Sequence, residues 1–171
     1  DEVRCVLSRA AAVSETMVTM ADSMEFSHFT IQAMPSAGIT TGLRFPGTSN
    51  ATSVARVLTI KTLGGAGVFA PVELAGTGAP LVAHVCLENV RGSASGASSS
   101  LVQSGSGTHQ IRDCVFNGAV GLSVNAGTAI LLDVRINGFT GLSIAAGATV
   151  HVNSGTCYNS LANAGTLLKL A

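Results

Sequence analysis

Ile111-Arg112-Asp113-Cys114-Val115-Phe116-Asn117-Gly118 is echoed by Leu131-Leu132-Asp133-Val134-Arg135-Ile136-Asn137-Gly138, 20 residues further on. Each octet is followed by a tetrad, Gly121-Leu122-Ser123-Val124 and Gly141-Leu142-Ser143-Ile144, at the same shift. A repeat of this length points to a solenoid, in which each unit buries its apolar face against the next. Within the first octet, apolar residues fall at offsets 0, 3 and 5. Offsets 3 and 5 fit the two-residue alternation of a strand. The step from 0 to 3 breaks that alternation, so the chain must bend there. A strand, a bend and a second strand make one corner of a coil. The tetrad then supplies a strand on another wall.

Projected outward, the template gives Val152-Gly155-Cys157 downstream. Upstream it gives Leu87-Val90-Gly92, Val57-Ile60-Thr62 and Phe26-Phe29-Ile31. If each repeat is one coil, equivalent residues stack about 4.8 Å apart. The expected inward columns are Phe29, Ile60, Val90, Cys114, Val134, Gly155 and Ile31, Thr62, Gly92, Phe116, Ile136, Cys157. Asn117 and Asn137 are expected to form an amide ladder along the axis. Val, Ile, Thr and Gly dominate these segments, which favours strands over helices. The dense Leu consensus of a leucine-rich repeat is absent.

These residues resemble the right-handed parallel β-helix, pectate-lyase-like superfamily. The likeness covers about residues 24–170 and is best over 110–159. It implies an all-β, right-handed parallel β-helix solenoid of about six coils over 24–171. Residues 1–23 are read as an irregular cap or linker, with a short helix around Ala10, Ala11, Ala12, Met17 and Met20. The members most like it are viral or phage tailspikes and surface adhesins, so the implied place is a virion or an extracellular surface. The likeness is specific for fold and carries little about function.

Composition agrees with a stacked β architecture. Apolar residues make up 47% of the 171, yet aromatics only 4%, with no Trp. The core must therefore come from Val, Ile, Leu, Ala and a few Phe. Charged residues are 11% and the formal net charge is zero, which argues against a nucleic-acid footprint and favours self-association. No apolar run reaches the length of a membrane helix. The chain opens Asp1-Glu2-Val3-Arg4, without the basic start of a secretory signal.

Chemistry-bearing residues are sparse. Asp113 and Asp133 fall in one column, with His28, Thr59 and Asn89 expected at the same register. Stacked carboxylates about 5 Å apart match the retaining-glycosidase spacing or could hold Ca²⁺. The plainer reading makes them bend residues capping their own backbone, with Arg112 and Arg135 as partners. Asp113, Asp133 and Arg112 are thus the weak catalytic candidates, and no cofactor or metal is expected. Cys5, Cys86, Cys114 and Cys157 form no C-x-x-C pair and read as small core residues, their disulfide state open. His28, His84, His109 and His151 do not cluster and read as solvated or satisfied strand-end residues. Outward residues of the tetrad wall, Ser123 and Ser143, are not acids. Gly64 to Gly67 and the run 92–100 read as a turn and a loop. Pro35, Pro46, Pro71 and Pro80 mark loop excursions, with glycan contacts expected in 33–53 and 64–80.

The expected function is a non-enzymatic structural or adhesive module of a virion appendage, capsid-associated component or extracellular fibre. Its partners would be copies of itself, as a homotrimer or a head-to-tail stack, other virion or surface proteins, and a glycan. The final residues, Thr166 to Ala171, read as a fresh strand of a further coil with no device guarding its edge, so that either the chain continues in the native protein or this coil docks on something. The alternative is a polysaccharide lyase or glycoside hydrolase.

Overall fold

The computed structural model describes residues 5–11, 14–21, 25–35, 38–47, 54–62, 68–77, 81–88 and 99–170. In chain order the strands are β1 (Cys5–Ala11), β2 (Glu15–Thr19), β3 (Glu25–Ser27), β4 (Phe29–Pro35), β5 (Ile39–Phe45) and β6 (Val54–Thr62). Then come β7 (Val68–Leu74), β8 (Leu81–Glu88), β9 (Ser99–Gln103), β10 (Thr108–Arg112), β11 (Val115–Val124) and β12 (Thr128–Leu132). The last are β13 (Arg135–Ile144), β14 (Thr149–Val152), β15 (Cys157–Tyr158), β16 (Leu161–Asn163) and β17 (Thr166–Lys169). All pairings among them are parallel, and each strand pairs with its equivalent in the next coil. The molecule is a parallel β-solenoid of about five turns. The count differs slightly from the six expected.

Each coil has three walls. The first holds β3, the openings of β6 and β8, then β10, β12, β14 and β17. The second holds β1, β4, the later parts of β6 and β8, the openings of β11 and β13, and β15. The third holds β2, β5, β7, β9, the later parts of β11 and β13, and β16. Long-range pairing through every wall is what a solenoid needs, because no coil can bury its own apolar face alone.

The columns explain the core. On the second wall Leu7, Ile31, Ile60, Leu87, Phe116, Ile136 and Tyr158 stack in register. Ile31, Ile60, Phe116 and Ile136 are fully buried. On the third wall Val18, Leu43, Val72, Leu101, Leu122, Leu142 and Leu161 do the same. The first wall contributes Phe26, Ala55, Val82, Ile111, Leu131 and Val152. Burial of apolar surface at about 25 cal/mol per Å² is the driving term.

The expected phase holds for Phe26-Phe29-Ile31 and for the two octets, and slips elsewhere. The β6 unit is Ala55-Leu58-Ile60, two residues earlier than projected, and the β8 unit is Val82-Val85-Leu87, with Leu87 at its end instead of its start. Both strands carry apolar residues at adjacent positions, Val54-Ala55 and Val57-Leu58 in β6 and Val85-Cys86-Leu87 in β8, so the template fits them in more than one phase. In the last unit Val152 pairs with Leu131 as expected, but Arg135 pairs with Cys157 and Ile136 with Tyr158. One extra residue in the Asn153–Thr156 corner moves Cys157 out of the core column. Val90 and Gly92 lie outside the described residues.

Three further expectations change. Ala10, Ala11 and Met17 lie in strands β1 and β2, not in a helical cap; β1 pairs with β4 and β2 with β5. Backbone pairing outweighs the modest helix propensity of the Ala run. The segments 33–53 and 64–80, read as loops, contain β5 and β7. Pro71 sits inside β7 because the third-wall ladder skips one position in successive coils: Gly42, Pro71, Gly121 and Gly141. A missing N–H costs nothing where no ladder bond is made. Finally, β17 sets a charge, Lys169, opposite Val152 of the first-wall core column, where the repeat template expects an apolar residue.

Candidate functional site

The corner between the first and second walls holds the weak catalytic candidates. His28, Asp113 and Asp133 have φ of 62°, 49° and 56°, and they are the non-glycine residues with positive φ among those described. All three occupy the same corner, two residues after Phe26, Ile111 and Leu131. Thr59, expected there too, lies in the second-wall ladder instead, and Val57 and His84 take the corner register; Asn89 lies outside the described residues. A left-handed residue turns the chain sharply between walls. Asp and His are among the side chains that tolerate that conformation.

The carboxylates serve this bend. Asp113 donates its N–H to the Leu132 carbonyl (3.0 Å), and its Oδ2 accepts from Arg112 Nε (3.1 Å). Asp133 donates its N–H to Asn153 Oδ1 (3.0 Å), and its Oδ1 accepts from Asn153 Nδ2 (3.3 Å). Gly155 lies directly against that carboxylate; a Cβ there would fall 1.8 Å from Asp133 Oδ1. Asp133 thus turns to the next coil instead of to Arg135. Asn153 Oδ1 also accepts from Thr156 Oγ1 (2.9 Å). The two aspartates are in one column, yet each is held by a different neighbour. Among the described residues no group of three His, Cys, Asp or Glu comes together to hold a metal ion.

Converting both aspartates to Asn should therefore leave folding stability within about 0.5 kcal/mol, since Asn accepts the left-handed conformation and keeps an acceptor oxygen. Asp133→Val should cost about 1–2 kcal/mol, because a β-branched side chain is strained at positive φ. Urea unfolding of the variants measures both.

The amide ladder forms as expected: Asn137 Nδ2 donates to Asn117 Oδ1 at 2.9 Å. It lies within β11 and β13 instead of at a turn. Asn159 Nδ2 extends it by donating to the Gly138 carbonyl. Ser123 and Ser143 stack on the outer face of the third wall, half-buried. Cys114 is buried, and its thiol donates to the Arg112 carbonyl (3.0 Å). Cys157 is exposed and unbridged. The side chains of Cys5 and Cys86 lie outside the described residues.

His109 departs from the expectation of a solvated or satisfied residue. It is fully buried, and neither ring nitrogen makes a hydrogen bond of good geometry. Desolvation pushes its pKa down from the ordinary 6.5 to about 4, with the Gly76 backbone offsetting part of the effect. Its column neighbours are Ala129, Val150 and Leu167. Gln103 is the matching buried polar residue on the third wall, in a column of Phe45, Leu74, Val124 and Ile144 that ends on the exposed Asn163. Its Nε2 donates to the Ala126 carbonyl (2.8 Å), while its Oε1 is buried without a partner. Both flank one corner, Ser104 to Gly107. Strand alternation from Ile111 already places His109 inward, and that was the signal available in the sequence.

Comparison with protein-family models, with curated proteins and with solved structures finds no match.

Proposed function

We propose that this β-solenoid is a non-enzymatic structural or adhesive module of a virion appendage, capsid-associated component or extracellular fibre, working through association with copies of itself. A tailspike-like relation to the right-handed, pectate-lyase-like superfamily is part of this reading. The observation that supports it is the large apolar side chains left exposed on the body of the solenoid: Phe139 and Ile39 stand 77% and 54% exposed. Apolar groups of this size at the surface favour contact with a partner. The weak surface charge lowers the barrier to such contacts. Engagement of Asp113 and Asp133 in the corner supports a scaffold role over turnover. Glycan contacts would fall to outward residues of the walls and corners.

Light scattering of the chain should give a mass of several copies, as a homotrimer or a head-to-tail stack. Phe139→Lys with Ile39→Lys should return it to one copy without loss of β signal, because both positions are exposed and added charge opposes an apolar contact. A monodisperse monomer for the unaltered chain would overturn the proposal.

A further inference from the structure

Two buried polar side chains, His109 and Gln103, flank the Ser104–Gly107 corner. Every other described residue in the His109 column is apolar. Neither ring nitrogen makes a hydrogen bond of good geometry, and the Gly76 backbone beside it offsets its burial only in part. The same corner holds the unpartnered Gln103 Oε1. A buried donor or acceptor left unsatisfied costs about 1–3 kcal/mol, and a buried charge costs far more. Among the described residues, His109 is the histidine whose protonation would damage the packing around it.

We propose that the rung formed by β9 and β10 is an acid-release point, where protonation of His109 opens the solenoid locally while the coils after it stay stacked. The groups around it give the proton no counter-charge. β9, β11 and β12 carry no titratable residue at all, nor does the stretch of β8, Leu81–Ala83, that pairs with β10. On β10 itself, Arg112 is exposed and engaged with Asp113. The adjacent rung carries a carboxylate, Glu73 of β7, opposite Val102 of β9. It stands on the outer face, paired with Arg44 (3.2 Å) and accepting from Ser104 Oγ (3.1 Å). It does not face the core.

Downstream, the buried residues of β12, β13 and β14 are Ala129, Leu131, Ile136, Leu142, Ile144, Val150 and Val152, together with Gly141. None of them titrates. In a solenoid, stability is a sum over rungs and their nearest neighbours, so a defect at one rung need not spread. The sign follows from linkage. The unfolded or opened rung binds a proton from about pH 6.5 downward, whereas the closed rung resists until about pH 4. Closure is therefore fully favoured above 6.5 and is lost progressively between the two values. By pH 4.5 the opening equilibrium should have risen on the order of 50- to 100-fold.

Hydrogen–deuterium exchange on the full chain, corrected for intrinsic rates, tests this at pH 7.5 and 4.5. Peptides within Ser99–Arg112 should lose protection on acidification by about that factor, while those within Thr128–Val152 keep theirs. His109→Leu and His109→Gln should each remove the selective loss. Glu73→Gln should leave it in place. Uniform loss along the chain, no loss at all, or the same selective loss in either His109 variant overturns the proposal. The unaltered chain's exchange pattern decides even if both variants fail to fold.

Discussion

Ile136→Asp is expected to unfold the coils around β13, with a loss of more than about 4 kcal/mol. Ile136 is fully buried and stacks between Phe116 and Tyr158. Its Cγ2 lies so close to Gly121 that a Cβ on the glycine would fall 2.3 Å away. A carboxylate there has neither water nor a counter-charge. It must take up a proton or force the coil open, and both cost folding free energy. Ile136→Val, which removes one methylene, should cost only about 1 kcal/mol. The pair separates burial of charge from simple cavity formation. Urea denaturation followed by circular dichroism gives the magnitudes. Near-native stability for Ile136→Asp would mean that Ile136 is not in a core.

Gly105→Ala should be nearly as damaging, at about 3 kcal/mol or more. At the corner between the third and first walls, successive coils bring backbone onto backbone. A Cβ on Gly105 would lie 2.0 Å from the Gly76 carbonyl oxygen and 2.5 Å from the Ala75 carbonyl carbon. Gly76 stands in the same relation to Gly47, again at 2.0 Å. The hydrogen bonds repeat as well: Ala75 and Gly76 N–H donate to the Phe45 carbonyl, and Ser104 and Gly105 N–H to the Leu74 carbonyl. These neighbours are backbone and cannot rotate aside, so the coil must shift. Thermal unfolding should show the loss, and Ser104→Ala, on the exposed side of the same corner, should show less than about 1 kcal/mol.

The sequence announces the solenoid where its repeat is undisturbed. Between residues 111 and 144 the 20-residue shift, the 0-3-5 pattern and the Gly-Leu-Ser tetrad all agree, and the pairing of β11 with β13 follows them residue by residue. Upstream the signal blurs for a physical reason. In Val54–Thr62 and Leu81–Glu88 apolar residues sit at adjacent as well as alternate offsets, so pattern alone does not choose the phase; backbone pairing does. One added residue at Asn153–Thr156 hides the downstream unit in the same way. The Ala-rich start reads as helix locally, but β1 gains a full ladder with β4. Asp113 and Asp133 are legible as a stacked pair, whereas their service to the bend depends on φ, which no spacing reports. His109 and Gln103 are legible in principle, since Leu101-Val102-Gln103 aligns with Leu122-Ser123-Val124.

The central claim is that residues far apart in sequence climb one axis a rung at a time. Ser8, Gln32, Lys61, Glu88, Asn117 and Asn137 form one column on the second wall. Pulsed electron paramagnetic resonance on spin-labelled cysteine pairs reads this directly. Backbone separations of about 14 Å for Gln32 with Asn117, about 19 Å for Gln32 with Asn137 and about 24 Å for Ser8 with Asn137 are expected, rising by one strand spacing per rung. Distances that fail to rise in equal steps, or that track sequence separation instead, would contradict the solenoid.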